Sequence, residues 1–531
     1  MEANAEQLQA INSNSERILC LAGAGAGKST TLLSRISRLV NDGVNPNSIL
    51  ALTFTNAAGA EMRERYERSH VGQLAPQFRT FHSFCYYIVC RDPAIRSGLG
   101  YDTIPNIASD AEEKEIIEKA KAQCKISVPA TKLLSREGLT KKEKFQVELF
   151  DKAICRLLRQ NNLITFDKLN SEVADLFAAD HISTKPYKQQ YKYIAVDEFQ
   201  DVDTYQMKFL QSFTDTNFFF VGDTLQNIYT FRGTSNEYIK ALSNSPDWEK
   251  IKLFTNYRST KQICEYANKF SASYADDSYR IEMKSERDGE KVITTSVASP
   301  SNYNVINTDG LDEVINELSK LSGTSAILAR TNKEVSEINS YLKEKGIEFS
   351  TNHNTQIFNI INAAISEEYM IGWLASFLSS NKYGEYIRLC AQRKPDINWF
   401  LKTYGTNTKI SKVASKISNL KKIATDPTST AIKIEEIRKA FKLSDITPPD
   451  TELFGAELLQ YIKDRLNDIK SSELYVGTIH SVKGLEYDNV FVMNVNSYSF
   501  KIKGDEEMSN LFYVACTRAK NRLFIYKINN W

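Results

Sequence analysis

The stretch LAGAGAGKST, residues 21–30, constrains this chain more than any other. Glycines stand at 23, 25 and 27, and Lys28, Ser29 and Thr30 follow. Before the turn runs RILCLA (17–22), apolar and of strand length; after it, Leu32, Leu33, Ile36, Leu39 and Val40 recur at helical spacing. Strand, glycine-rich turn and helix together suit a phosphate loop. Glycines let backbone N–H groups close around an anion, and the helix N-terminus adds its dipole. Lys28 is placed to reach the β- and γ-phosphates of a nucleotide, and the Ser29 hydroxyl to ligate Mg2+. One position departs from the strict G-x-x-x-x-G-K-[ST] pattern, because Ala22 stands where it has Gly. A glycine-rich turn that merely caps a helix is the competing reading.

A phosphate loop needs a carboxylate partner, and YKYIAVDEFQDVD (191–203) supplies one. Tyr193 to Val196 read as a buried parallel strand with Asp197 and Glu198 at its C-terminal end, where ligands bind in open α/β sheets. In that setting Asp197 would hold Mg2+ through water, and Glu198 would orient and deprotonate the attacking water. An Asp-Glu pair after an apolar run is weak evidence alone; beside the phosphate loop it is strong.

Bulk properties add limits. At 531 residues the chain exceeds one core. The net charge of +2 neither points to nucleic acid nor excludes a local basic groove. Eight scattered cysteines with no Cys-x-x-Cys pair read as reduced thiols without a zinc site. MEANAEQLQA lacks the charge and apolar run of a signal peptide, and no apolar run is long enough to span a membrane, so a cytoplasmic setting is expected.

Nine stretches in order carry a family resemblance: ANAEQLQAI (3–11), LAGAGAGKST (21–30), LALTFTNAAGAEMRER (50–65), FRTFHSF (78–84), VDEFQD (196–201), FVGDTLQNIYTFRG (220–233), NYRST (256–260), GTIHSVKGLEYDNVFV (477–492) and YVACTRAK (513–520). With them the chain resembles the UvrD/Rep-type superfamily-1 DNA helicases over nearly its whole length. The resemblance implies an α/β fold of two RecA-like P-loop domains with parallel sheets. Each carries a mainly helical insertion, and ATP and Mg2+ bind in the cleft. It implies that Gln7 reads the adenine edge, Tyr257 stacks on the base and Glu486 lies near the ribose and triphosphate. Arg258 and Arg518 would reach the γ-phosphate, and Gln226 would link that phosphate to DNA. The expected nucleic-acid track is Thr53, Phe54, Thr55 and Asn56, then Thr80, Phe81 and His82, then Tyr229, Phe231 and Arg232, then Thr478 and His480. Its hydroxyls and amides suit phosphates, and its aromatics suit sequence-tolerant stacking on single strands. Core packing is the competing reading for the aromatics. Three positions differ from the family pattern: Thr30 replaces an arginine, GDTLQ (222–226) replaces GDDDQ, and Phe231 replaces tryptophan.

The motifs divide the chain into motor domain 1 (1–90 and 188–255) and motor domain 2 (256–350 and 471–531), with helical insertions at 91–187 and 351–470. Helical periodicity marks 110–124, 147–160 and 365–380, whereas 163–177 resembles the family segment before the acid strand and 446–452 reads as a turn. Lys409, Lys412, Lys416, Lys421 and Lys422 cluster, as a solvated face or as a contact for duplex DNA or a partner. The second insertion reads as shorter than in full-length relatives, and the sequence ends 13 residues after Arg518. That build is similar to the helicase-like subunit of Gabija-type anti-phage systems.

Three functions follow. The first is an ATP-dependent helicase or translocase that moves 3′ to 5′ on single-stranded DNA and at single-strand/duplex junctions; the direction comes from the resemblance alone. The second is a DNA-sensing ATPase that acts with a separate nuclease. The third is a DNA-binding scaffold without hydrolysis.

Overall fold

The fold is given by a computed structural model that describes residues 3–531 except 109, 125–139, 230–233, 235, 298–307, 352–359, 368–369, 372–373, 375–395, 405–407, 442–447, 450, 471–473, 496–505 and 529–531. Among the described residues the strands are β1 (Arg17–Ala22), β2 (Ile49–Thr53), β3 (Gln77–Thr80), β4 (Asn106–Ile107), β5 (Leu163–Ile164), β6 (Tyr193–Val196), β7 (Asn217–Gly222), β8 (Glu249–Leu253), β9 (Ile293–Val297), β10 (Ser325–Ala329), β11 (Leu474–Thr478), β12 (Tyr487–Val495) and β13 (Ala519–Ile528).

The chain separates into two compact units. One comprises residues 1–81, 186–355 and 467–531; the other comprises 82–185 and 356–466. The first unit holds two all-parallel sheets, in the orders β3-β2-β6-β7-β1-β8 and β11-β10-β12-β13-β9. Parallel sheets are covered on both faces, so their strands read as continuous apolar runs. RILCLA, ILALT and SAILA do so, and the last two are buried at every position.

Helices cover each sheet. On the first, α1 (Ala5–Asn12) and α2 (Lys28–Asn41) help enclose a core that includes Ile18, Leu32, Ile36, Ala51 and Val221. The Arg35 side chain fastens these helices together, donating from Nη1 to the carbonyls of Ala10, Ile11 and Ser13 at the end of α1. The second sheet has a core on each side. One includes Ile263, Val492, Phe512 and Ile525; the other includes Leu311, Ile338, Phe491 and Phe524.

The other unit is mainly helical and carries the short β4–β5 pair. Its helices Asp110–Cys124 and Lys141–Gln160 share a core with Ile116, Val147, Phe150 and Leu158. The helix Thr408–Ala424 buries Ile410, Ile417 and Leu420 and exposes Lys412, Lys416 and Lys422. The expected helix at 365–380 lies largely outside the described residues, and the expected turn at 446–452 does so in part. No described helix is long and apolar enough to cross a membrane.

Candidate nucleotide site and nucleic-acid track

Parallel strands end at one edge of their sheet, and that edge gathers the site. The turn after β1 places Gly25 at φ 68° and Gly27 at φ 77°, in the left-handed region. A Cβ at Gly25 would lie 2.7 Å from Arg258 Cβ, so that position requires glycine twice over, and the left-handed backbone favours glycine at Gly27 as well. Gly23 is similarly crowded, by Met283. Gly27 caps α2 and no side chain bonds to the helix start. A helix N-terminus of this kind offers free N–H donors and the positive end of its dipole to an anion.

Lys28 and Ser29 open α2. The Ser29 hydroxyl donates to Asp197 Oδ2 at 2.7 Å, which joins the phosphate loop to the acid strand β6. A hydroxyl and a carboxylate at that spacing are hard oxygen ligands suited to Mg2+. Burial, and then the charge of Glu198, push the Asp197 carboxyl up to about 6. For Glu198 burial acts in the same direction, but Lys28, Lys483, a Gln200 hydrogen bond and Arg518 outweigh it, so its carboxyl lies below the ordinary range. The two carboxyls thus separate. Glu198 also has φ 52°, a strained conformation for a residue with a Cβ.

A hydrogen-bonded chain leads away from Glu198. Gln200, fully buried, donates from Nε2 to Glu198 Oε2 at 2.6 Å and accepts the Asp223 N–H at Oε1, at 2.9 Å. Asp223 Oδ2 accepts from Gln226 Nε2 at 2.7 Å, and Gln226 Oε1 accepts from Arg518 Nη2 at 3.2 Å. Arg518 belongs to the second sheet's segment, so the chain passes from one sheet to the other. Burial, with help from Arg258, pushes its guanidinium down to about 9, still a cation at neutral pH.

The second arginine is held too. Arg258 Nε donates to Glu486 Oε2 at 2.8 Å and its Nη1 to the Thr517 carbonyl; Lys520 lies 3.0 Å from the other Glu486 oxygen. After opposition from burial, Lys520 and Arg258 hold the Glu486 carboxyl below its usual value. Asn256 fixes this segment on the phosphate turn, donating to the Ala24 carbonyl at 2.7 Å, while the Tyr257 N–H bonds to the Gly25 carbonyl. Gln7 completes a capping box with Asn4 and donates from Nε2 to the Ala26 carbonyl. Thr30, exposed, accepts from Arg65 Nη2 at 2.9 Å, so a guanidinium does stand beside this position.

Part of the expected nucleic-acid track converges. The Phe54 and Tyr229 rings stack with centroids 5.3 Å apart and planes 14° from parallel, and His480 lies 6.4 Å from Tyr229. Thr53 and Thr80 are register partners at the ends of β2 and β3. Thr55 caps α3 (Asn56–Ser69), and Thr478 caps the short helix Ile479–Val482. Phe81 packs edge-on against Phe209. His82 belongs to the mainly helical unit, within reach of Asn170 and Phe166. Phe231 and Arg232 lie outside the described residues, as does the side chain of Asn56.

Sequence reasoning passed over Gln200, Asn256 and Lys483. Each sits inside a quoted motif; Asn256 and Lys483 reach backbone groups or a partner far along the chain, and Gln200 bridges the nearby Glu198 carboxylate to the distant Asp223 N–H. Lys483 donates to Asp201 Oδ2 at 2.5 Å and to the Gln226 carbonyl at 2.8 Å, with Nζ 4.7 Å from the Tyr229 centroid. Burial pushes Asp201 up to about 6, and Lys483 pulls it back.

The described residues contain no group of three or more His, Cys, Asp or Glu side chains able to hold a metal. The described cysteines are free thiols. Comparison with known proteins gives the family. A family model of the UvrD/REP helicase N-terminal domain matches residues 3–247, and one of the UvrD-like helicase C-terminal domain matches 251–365 and 360–530. The chain is 26% identical to the ATP-dependent DNA helicase PcrA of Staphylococcus aureus (strain MRSA252), covering 98% of this chain and 82% of that protein. It is 27% identical to the PcrA of Staphylococcus epidermidis (strain ATCC 12228), covering 98% and 83%. With the C-terminal model alone running across more than half of its length, the chain belongs to the UvrD/REP helicase family.

Proposed function

We propose that this chain is an ATP-dependent DNA helicase that moves 3′ to 5′ along single-stranded DNA while hydrolysing Mg-ATP between two RecA-like motor domains. The observation that carries this reading is the unbroken path from Ser29 and Asp197 through Glu198, Gln200, Asp223 and Gln226 to Arg518. It joins the phosphate turn of one sheet to an arginine of the other. The motor domains are taken as 1–90 with 188–255 and 256–350 with 471–531.

The uncapped start of α2 and the Lys28 amine take the phosphates. Ser29 and Asp197 hold Mg2+, which when bound neutralises phosphate charge. Glu198, kept ionised, accepts the proton of the attacking water at its carboxylate. Arg258 and Arg518 stabilise charge that develops on the transferred phosphoryl group, as an arginine finger does. Gln7 and Tyr257 border the base side of the site, and Glu486 holds Arg258 in place. On the other side Phe54, Tyr229 and His480 present ring faces for bases, with Thr53, Thr55, Thr80 and Thr478 at the neighbouring strand and helix ends. Both arginines lie on the segments of the second sheet. Binding therefore draws that sheet's side toward the phosphate turn, and release of phosphate lets it go; alternating grips on the strand give stepping.

The test is strand separation on duplexes carrying either a 3′ or a 5′ single-stranded tail, with ATP and Mg2+. The reading expects separation on the 3′-tailed duplex alone and none with Lys28→Ala. Separation on the 5′-tailed duplex alone overturns the direction. ATP hydrolysis without separation favours the second reading, a cytoplasmic DNA-sensing ATPase that works with a nuclease in anti-phage defence. No hydrolysis by a folded chain favours the scaffold.

A further inference from the structure

Asp201 and Lys483 form an ion pair whose side chains are 1% and 10% exposed. The pair joins the acid-strand segment to the segment after β11. Asp201 Oδ1, also buried, has no hydrogen-bond partner, so the carboxylate depends on Lys483. A buried charge that loses its partner is strongly unfavourable, and such a contact is therefore either made or the surrounding segment rearranges.

Two further features tie this pair to the site. Asp201 and Glu198 share one turn: the Asp201 N–H bonds to the Glu198 carbonyl at 2.9 Å, and residues 199–201 form a single 3-10 turn. A shift of Asp201 therefore moves the backbone that carries Glu198. At its other end, Lys483 holds the Gln226 carbonyl and lies over the ring of Tyr229, which stacks on Phe54. A nucleic-acid base that takes Tyr229 as its stacking partner must displace Phe54 or move Tyr229. Displacing Phe54 changes what faces the Tyr229 ring, and moving Tyr229 changes the cation–π contact to Lys483.

From this geometry we infer that Lys483 is the positioning residue that couples a base on Tyr229 to the hydrolytic carboxylate of Glu198. This inference rests on the helicase reading and names the physical link by which DNA would stimulate hydrolysis. With the strand in place, Tyr229 fixes the Lys483 amine, the amine fixes Asp201, and the shared turn sets the orientation of Glu198. A parallel branch runs through the Gln226 carbonyl to the side chain that meets Arg518.

The experiment compares ATP hydrolysis with and without oligo(dT) for the full chain and for Lys483→Met, Lys483→Arg and Asp201→Asn, alongside oligo(dT) affinity by fluorescence anisotropy. Coupling free energies between sites usually correspond to 5–150-fold, so Lys483→Met should lower the ratio of stimulated to unstimulated kcat by about tenfold while oligo(dT) affinity changes less than about threefold. Asp201→Asn, which keeps the shape and removes the charge, should lower the ratio as well, and Lys483→Arg should restore most of it. A ratio that holds in Lys483→Met overturns the inference. So does a fall of both rates by one common factor, since a merely structural role would do that. Should Lys483→Met fail to fold, Asp201→Asn decides by the same ratio. A wild-type chain that hydrolyses ATP without any stimulation overturns the helicase reading and this inference together; stimulation in the wild type that survives in the variants overturns this inference alone.

Discussion

Replacing Gln200 by leucine removes a fully buried side chain that bonds to Glu198 and should cripple hydrolysis. The side chain is fully buried and makes two bonds, one to Glu198 Oε2 and one from the Asp223 N–H. Leucine has nearly the same volume, so no cavity is expected. Two costs follow. The Asp223 N–H loses its partner in a dry place, worth about 1–3 kcal/mol, and the Glu198 carboxylate loses a charge-assisted bond, worth about 1.5–3 kcal/mol. Taking about 3 kcal/mol for the sum, the thermal midpoint should fall by roughly 6–12 °C for a domain of this size. The kinetic effect should exceed what that loss of stability explains. Glu198 sits in a strained backbone conformation, and its orientation depends on Gln200. A carboxylate free to swing by about 1 Å costs on the order of a hundredfold in rate. Steady-state hydrolysis at saturating oligo(dT), measured at a temperature where the variant is folded, should show kcat down by about that factor, with KM for ATP little changed. A variant with the lowered midpoint but kcat within about twofold of wild type would refute the reasoning, because the bond would then be structural only.

Further outcomes follow from the same geometry. Arg518→Ala should lower kcat by roughly 10³-fold or more if the guanidinium acts as an arginine finger, and single-turnover hydrolysis would measure it. Phe54→Ala should weaken oligo(dT) binding by about 1–3 kcal/mol, read by anisotropy at fixed salt. The pH profile should have an acid limb: Asp197, pushed up to about 6, takes a proton as pH falls through that value and stops serving as a ligand. Hydrolysis then declines about tenfold per pH unit, and excess Mg2+ moves the limb to lower pH because metal and proton compete. The stability sign is opposite. Asp197 and Asp201 have folded values raised above 3.8, so in chelator both favour the native state fully near pH 4, and that contribution is lost as pH rises through about 6. Thermal midpoints across that range would show it.

The parts of the site that could be read from sequence are those where neighbours in the chain do one job. Gly25, Gly27, Lys28 and Ser29 fall within five residues, the glycines set by their left-handed backbone and the Lys-Ser pair by its place at the start of α2. Asp197 and Glu198 end an apolar run, which marks the ligand edge of a sheet. Lys483 was illegible for the opposite reason: its carboxylate partner is 282 residues away, and its other contacts are a carbonyl and a ring face. Gln200 was illegible because a glutamine beside two acids reads as polar surface, yet it is fully buried. The strands at 17–22 and 193–196 followed from apolar runs of strand length, whereas the two parallel sheets were expected from the family resemblance. The association of 82–185 with 356–466 in one helical unit followed from neither, since helical periodicity shows that a face is buried and not what buries it.

The central claim is that the phosphate turn and the stacked aromatics serve one motor. ATP hydrolysis by the purified chain, with and without oligo(dT) and beside Lys28→Ala, tests it most directly. The account predicts hydrolysis that rises several-fold with oligo(dT) and is lost in Lys28→Ala. Hydrolysis indifferent to oligo(dT), or unaffected by the loss of Lys28, would contradict it.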